Sequence, residues 1–205
     1  GGFVTAEVGT LPPLKDSGSG VAAADYDRDG DLDLFVGGRS IPGQYPLPSN
    51  SRLLRNDHGK FLDVTDDRAP GLMKSGLVTS AIWSDADQDG WIDLIVTYEW
   101  GPVRFYRNLR GRLADQTDES GLSGRRGWWN GIAAGDIDND RDIDYVVTNF
   151  GLNTKYHPTM EKPSFLYYGD FEENSPKCLV EAEFEGDMLY PIRGKSCSTH
   201  AMPSL

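Results

Sequence analysis

Three times along the chain a run of small and apolar residues is broken by alternating aspartates and then resumes as an apolar segment. "GVAAAD", "TSAIWSD" and "NGIAAGD" lead into the breaks; "LDLFVGG", "IDLIVTY" and "IDYVVTN" follow them. β-Branched and aromatic residues dominate these runs, and turn residues arrive roughly every 8 to 12 positions, so strands rather than helices are predicted. The leading strand is rich in Ala and Gly, which suits a crowded place. The following strand is apolar on both faces, as a strand sandwiched between two sheets would be. A second element recurs between the breaks. "LLRNDHGKFLDVT" (53–65) and "FYRNLRGRLADQT" (105–117) share Arg55/Arg107, Asn56/Asn108, Gly59/Gly111, Asp63/Asp115 and Thr65/Thr117, and each reads as a hairpin around a glycine turn. "PGL" (70–72) and "SGL" (120–122) then close each unit.

Four strands repeated in series predict an all-β chain of β-propeller blades, with small residues lining the axis where blades converge. A β-solenoid is the alternative, but its repeats are shorter and lack the hairpin. The expected units cover about 19–77, 78–128 and 129–163, a degenerate fourth covers 164–193, and 194–205 is a tail. The breaks begin at Asp25, Asp85 and Asp136; the longer first spacing comes from the Pro- and Ser-rich insertion "GGRSIPGQYPLPSNS". The third unit loses its outer hairpin to "GLNTKYHPTMEKP". The fourth carries Asp170, Glu172 and Asn174 where three aspartates are expected, and is predicted to be metal-free. Propellers close with about four to eight blades, so the expectation is an incomplete propeller of three to four blades, with further blades or domains in the full-length chain.

The breaks read "DYDRDGDLD" (25–33), "DADQDGWID" (85–93) and "DIDNDRDID" (136–144). Positions 1, 3, 5 and 9 supply Asp25, Asp27, Asp29 and Asp33; Asp85, Asp87, Asp89 and Asp93; and Asp136, Asp138, Asp140 and Asp144. Position 7, which is Asp31, Trp91 or Asp142, would offer its backbone carbonyl. A tight loop of alternating carboxylates suits Ca²⁺, which takes about six to eight oxygens at about 2.3–2.6 Å. Gly30 at position 6 permits the sharp turn. Without an ion the carboxylates repel one another, so the loop loosens or its pKa values rise. An EF-hand is excluded, because position 12 is Val36, Val96 or Val147 instead of a bidentate Glu between helices. Arg141 replaces the glycine in the third loop, and a non-Gly residue in the left-handed region costs about 1–2 kcal/mol. Weaker binding or an altered turn is expected there.

The net charge of −12 argues against nucleic acid or an anionic membrane as partner. Much of that acid sits in the three loops, and three bound divalent ions would halve it. No apolar run reaches membrane-spanning length, and "GGFVTAEVGT" has neither the basic start nor the apolar stretch of a signal peptide. Cys178 and Cys197 are either a disulfide or two small apolar residues.

The pattern "DxDxDGxxDL" followed by an apolar strand, then "GPVRFYRNLRGRLADQTDESGL", resembles the FG-GAP/VCBS repeats of integrin-α-like β-propellers. It is closest to the bacterial branch associated with ASPIC/UnbV domains. The resemblance covers residues 19–150 well and 164–193 loosely. It implies a calcium-stabilised propeller on an exported protein, commonly a binding or adhesion module, and by position it implies the twelve aspartate ligands named above. Millimolar calcium outside the cell suits such sites, so a periplasmic, cell-surface or extracellular location is expected.

A non-catalytic module for protein or polysaccharide is therefore predicted. Its surface candidates are the insertion 39–51 and "GRRGWWNG" (124–131), where Trp128 and Trp129 beside Arg125 and Arg126 suit a sugar or an anionic group, unless one indole is core packing. An accessory domain of a secreted hydrolase or lyase, and a plain spacer, are the alternatives. His58, His157 and His200 lie in no catalytic motif; there is no nucleophile elbow, phosphate loop or zinc spacing. No catalytic or organic-cofactor residue is assigned.

Overall fold

A computed structural model describes residues 4–151, 154–171 and 177–193. The chain divides into two compact units, Gly1–Phe150 and Gly151–Leu205. In the first, β1 (Gly18–Ala24), β2 (Asp33–Gly38), β3 (Arg52–Asp57) and β4 (Lys60–Asp63) form an antiparallel four-stranded meander. A one-turn helix, α1 (Thr65–Arg68), and a 3₁₀ turn at Pro70–Leu72 lead to the next sheet. There β5 (Leu77–Ser84) and β6 (Asp93–Glu99) precede β7 (Gly101–Pro102), β8 (Arg104–Asn108) and β9 (Leu113–Asp115), and the sheet order is β5-β6-β8-β9. The short β10 (Arg126–Gly127) pairs with β7, a ribbon that the sequence pattern did not announce. β11 (Trp129–Gly135) and β12 (Asp144–Asn149) then form a sheet of two strands only.

The second unit holds a three-stranded meander of β13 (Phe165–Gly169), β14 (Cys178–Glu185) and β15 (Met188–Pro191). The protein is all-β, with antiparallel sheets of two to four strands and almost no helix, the architecture of consecutive propeller blades. Among the described residues no sheet closes on itself, and no helix is long and apolar enough to cross a membrane.

Both predicted hairpins turn at left-handed residue pairs, His58-Gly59 (φ 53° and 92°) and Arg110-Gly111 (φ 57° and 86°). Two consecutive positive φ values are the signature of the tight turn that matches strand twist. Register follows: Asn56 faces Phe61, and Asn108 faces Leu113.

The core lies between the two four-stranded sheets. Tyr26, Phe35 and Leu53 from one meet Val78, Leu94, Val96, Tyr98 and Tyr106 from the other, with Leu72 between. All seven residues of β6 are buried, as expected of a strand covered on both faces. The small residues of the leading strand have a visible cause. A Cβ on Gly20 of β1 would lie 3.3 Å from the Ser80 Cα of β5, so the first strands of the two sheets approach backbone to backbone. Trp83 spans this seam; its indole N–H donates to the Ala22 carbonyl (3.1 Å) and its ring stacks on Tyr26. β12 departs from the expectation of a strand covered on both faces. It lacks an outer hairpin, and its Val146 is 49% exposed where the corresponding Ile95 of β6 is buried.

Candidate metal centres

Each aspartate loop connects the first and second strands of a sheet, and all three adopt one turn. Position 1 receives the backbone N–H of position 6 in every case: Asp25 from Gly30 (3.1 Å), Asp85 from Gly90 (2.9 Å) and Asp136 from Arg141 (3.2 Å). Position 6 is left-handed throughout, with φ of 96° at Gly30, 89° at Gly90 and 80° at Arg141. Arg141 therefore does not alter the turn; it holds the same conformation at a cost of about 1–2 kcal/mol. Position 4 is left-handed as well, at Arg28, Gln88 and Asn139. Only Asn139 carries a compositional hint of this.

The aspartate at position 9 is the anchor. Its Oδ2 accepts the N–H of position 2, from Tyr26, Ala86 and Ile137. Its Oδ1 accepts a second N–H from the hairpin: Asn56 donates to Asp33 (2.8 Å) and Asn108 to Asp93 (2.7 Å). Any non-Pro residue could give that N–H, so the repeated Asn has its reason in the side chain. The asparagine side chains continue the lattice, with Asn56 Nδ2 donating to the Leu32 carbonyl and Asn108 Nδ2 to the Ile92 carbonyl, while each Oδ1 accepts the turn glycine N–H. The third loop has no hairpin, so among the described residues Asp144 Oδ1 receives no such donor, and Asp144 is only half-buried.

Asp33 and Asp93 are fully buried. Burial, above all, pushes each carboxyl up to about 6, with the neighbouring aspartates adding to it against the N–H donors. Asp27 is raised for the same first reason. By contrast Asp89 is held low, chiefly by the Trp91 N–H and then by Arg107. Arg107 reaches into the second loop, with Nε 2.6 Å from Asp87 Oδ2 and Nη2 3.0 Å from Asp89 Oδ2.

Whether these residues fit a hard cation is decided by what the carboxylates lack. In each loop three can bring one oxygen apiece within 4.8 Å of one another: Asp25, Asp27 and Asp29; Asp85, Asp87 and Asp93; Asp136, Asp138 and Asp144. In the first two loops one carboxylate oxygen of the cluster residues, Asp27 Oδ1 or Asp85 Oδ1, is buried with no hydrogen-bond donor. A buried carboxylate oxygen left bare is costly, and an all-oxygen cluster around it is what Ca²⁺ complements. The donor set fits. The position 7 residues make other contacts through side chain or backbone. Asp31 accepts the His58 N–H (3.0 Å), Trp91 lies beneath the Arg28 guanidinium (4.3 Å), and Asp142 donates its N–H to Asp140 Oδ1 (3.1 Å).

The remaining candidates fall elsewhere. Trp128 stacks on Phe150 with centroids 4.6 Å apart and also meets Trp100, so its ring is engaged in packing. Trp129 donates its indole N–H to the Arg125 carbonyl. His58 occupies the hairpin turn and His157 an exposed position. Asp170 directly follows β13, whereas Glu172, Asn174, Cys197 and His200 lie outside the described residues.

One repeat of this geometry runs from loop to strand to hairpin and on to the next loop and strand. Residues 85–147 match the family described as FG-GAP-like repeat. The matched span starts at the first aspartate of the second loop and ends in β12, so it takes in the Asn108 hairpin and the whole third loop. No curated protein matches the chain. The FG-GAP-like repeat supports a β-propeller module; such repeats often bind Ca²⁺, and the loops here carry aspartate clusters.

Proposed function

We propose that the protein is a non-catalytic, calcium-stabilised β-propeller module of an exported, bacterial surface or secreted protein, serving protein or polysaccharide binding. The observation that carries this reading is the pair of bare buried oxygens, Asp27 Oδ1 and Asp85 Oδ1, inside clusters of carboxylates. Asp25, Asp27, Asp29 and Asp33 would hold one ion, Asp85, Asp87, Asp89 and Asp93 a second, and Asp136, Asp138, Asp140 and Asp144 a third. The ion supplies charge neutralisation, so that acid-rich loops can stand beside buried strands. The chain's own residues do the rest: the hairpin asparagines fix the position 9 carboxylates, and Arg107 neutralises part of the second loop. Extracellular calcium suits a site of this ligand type, which supports export. Further blades of the same full-length chain, and an ASPIC/UnbV neighbour, belong to the same proposal.

The test is metal analysis of purified protein together with thermal melts in calcium and in EDTA. An ion held at one hundred times its dissociation constant adds about 2.7 kcal/mol per site. Protein that carries no calcium and melts at one temperature in both buffers sinks the proposal.

A further inference from the structure

Arg55 and Arg107 hold the same place in the two hairpins. Each stands one residue before the asparagine, Arg55 opposite Leu62 and Arg107 opposite Ala114. Their side chains nevertheless behave differently. Arg107 reaches into the second aspartate loop, with Nε 2.6 Å from Asp87 Oδ2 and Nη2 3.0 Å from Asp89 Oδ2. Arg55 makes no ion pair among the described residues, and in its loop the corresponding Asp27 keeps a bare, buried Oδ1. We propose that Arg107 is a resident counter-cation of the second loop, which holds that loop when no ion is bound and competes with calcium for its carboxylates.

The partners of the loop oxygens carry the first half of this. Asp87 Oδ1 accepts the Asp89 N–H (3.1 Å) and Asp89 Oδ1 accepts the Trp91 N–H (2.9 Å). Both oxygens of Asp93 accept backbone N–H groups, from Ala86 and Asn108. Arg107 takes the Oδ2 atoms of Asp87 and Asp89, which those backbone donors leave open. A guanidinium suits the task, because its donors sit in a rigid fork and its charge is permanent. It is still an incomplete substitute for a metal. Arg107 meets Asp87 and Asp89 but not Asp85, whose Oδ1 stays buried with no donor. A calcium ion gathers about six to eight oxygens around one point and can serve all of these carboxylates together.

Distance carries the second half. An ion about 2.3–2.6 Å from Asp87 Oδ2 would stand within about 5 Å of Nε where that atom now lies. A divalent and a single positive charge so close repel, which weakens binding by about tenfold or more even in water-like surroundings. The Arg107 side chain is 34% exposed, so its head can swing into solvent when the ion arrives while its stem stays packed. The first loop has no such competitor, so calcium should fill it before the second.

This inference rests on the calcium reading of the loops and names the residue that sets the affinity of one of them. Calcium is titrated into the whole protein and followed by NMR at the backbone amides of residues 85–93, with residues 25–33 in the same sample as the reference. Arg107→Gln is expected to tighten the second loop at least about tenfold and to leave the first within about twofold. Arg107→Lys keeps the charge and should stay within about threefold of the parent. In EDTA, amide exchange at 85–93 should be about three- to fivefold faster in Arg107→Gln than in the parent. Calcium binding at 85–93 that is unchanged or weaker in Arg107→Gln, tightening as large in Arg107→Lys, or unchanged exchange in EDTA each overturns the proposal. Calcium in no loop of either protein refutes the ion reading and the arginine's role with it. Calcium in the first loop with an unmoved second loop refutes the arginine's role alone.

Discussion

Asn108 should be the most consequential polar residue of the first unit. It is fully buried. Its Nδ2 donates to two carbonyls, Ile92 in the second loop (2.9 Å) and Tyr26 in the first (2.8 Å), and its Oδ1 accepts the Gly111 N–H (2.7 Å). The bond to Tyr26 spans 82 positions of the chain and ties one aspartate loop to the hairpin of the next sheet. Asn108→Ala removes three bonds worth about 1 kcal/mol each and leaves buried groups unpaired, so a loss of about 3–5 kcal/mol is expected. Asn56 is the internal control. It makes only the Leu32 and Gly59 bonds, both exposed, so water replaces them and Asn56→Ala should cost about 1 kcal/mol. Asn108→Asp keeps the acceptor for Gly111 but points a charge at two carbonyls beside Asp93, and should be no better than the alanine variant. Urea unfolding at saturating calcium measures this by intrinsic fluorescence, because all five tryptophans lie in the first unit. Amide exchange should also quicken at residues 25–30 in Asn108→Ala. Losses within about 0.5 kcal/mol of each other for the two alanine variants would refute the reasoning.

Gly38→Ala should destabilise by about 1–3 kcal/mol, because the new Cβ would meet the Asn50 backbone at 2.6 Å, whereas Gly18→Ala, with its nearest contact at 3.9 Å, should be near neutral in the same urea assay. Arg141→Gly should stabilise by about 1 kcal/mol and tighten calcium at the third loop, since the turn stays and the left-handed strain goes; an unchanged melt and isotherm would contradict this. Asp25→Ala and Asp85→Ala should each remove a tighter site than Asp136→Ala does, read as the order in which calcium fills, because only the first two loops have a hairpin donor on position 9. In EDTA, carbon-13 titration should place Asp33 and Asp93 near 6, well above an unfolded aspartate. A raised acid pKa means the folded state holds the proton more tightly, so this contribution to stability is present at low pH and is lost as pH rises from about 4 through 6. Saturating calcium should lower both midpoints, and midpoints below about 4.5 in EDTA would refute the burial account.

The chemistry of the loops was readable in one dimension because it is local. Alternating aspartates, a left-handed position 6 and the absence of a position 12 glutamate all lie within a dozen residues, and the turn they make recurs even where Arg141 stands in for glycine. The repeated "RN" was visible as a pattern without a reason. Its asparagine acts through the side chain, which from the neighbouring strand donates to the Leu32 or Ile92 carbonyl and accepts the turn glycine N–H, contacts that only register decides.

What the chain determined by itself is the alternation of apolar and acidic segments, hence strands, turns and oxygen-rich loops, since these follow from side chains a few positions apart. Tertiary structure decided which carboxylates are buried, which oxygens are left bare, and that the side chain of Asn108 serves two loops while that of Asn56 serves one. Those properties depend on which sheet packs against which, and no local pattern encodes the neighbour. The same holds for Arg52 and Arg104, which occupy equivalent strand positions, yet Asp16 reaches the first at 3.4 Å while the second lies over the Tyr98 ring.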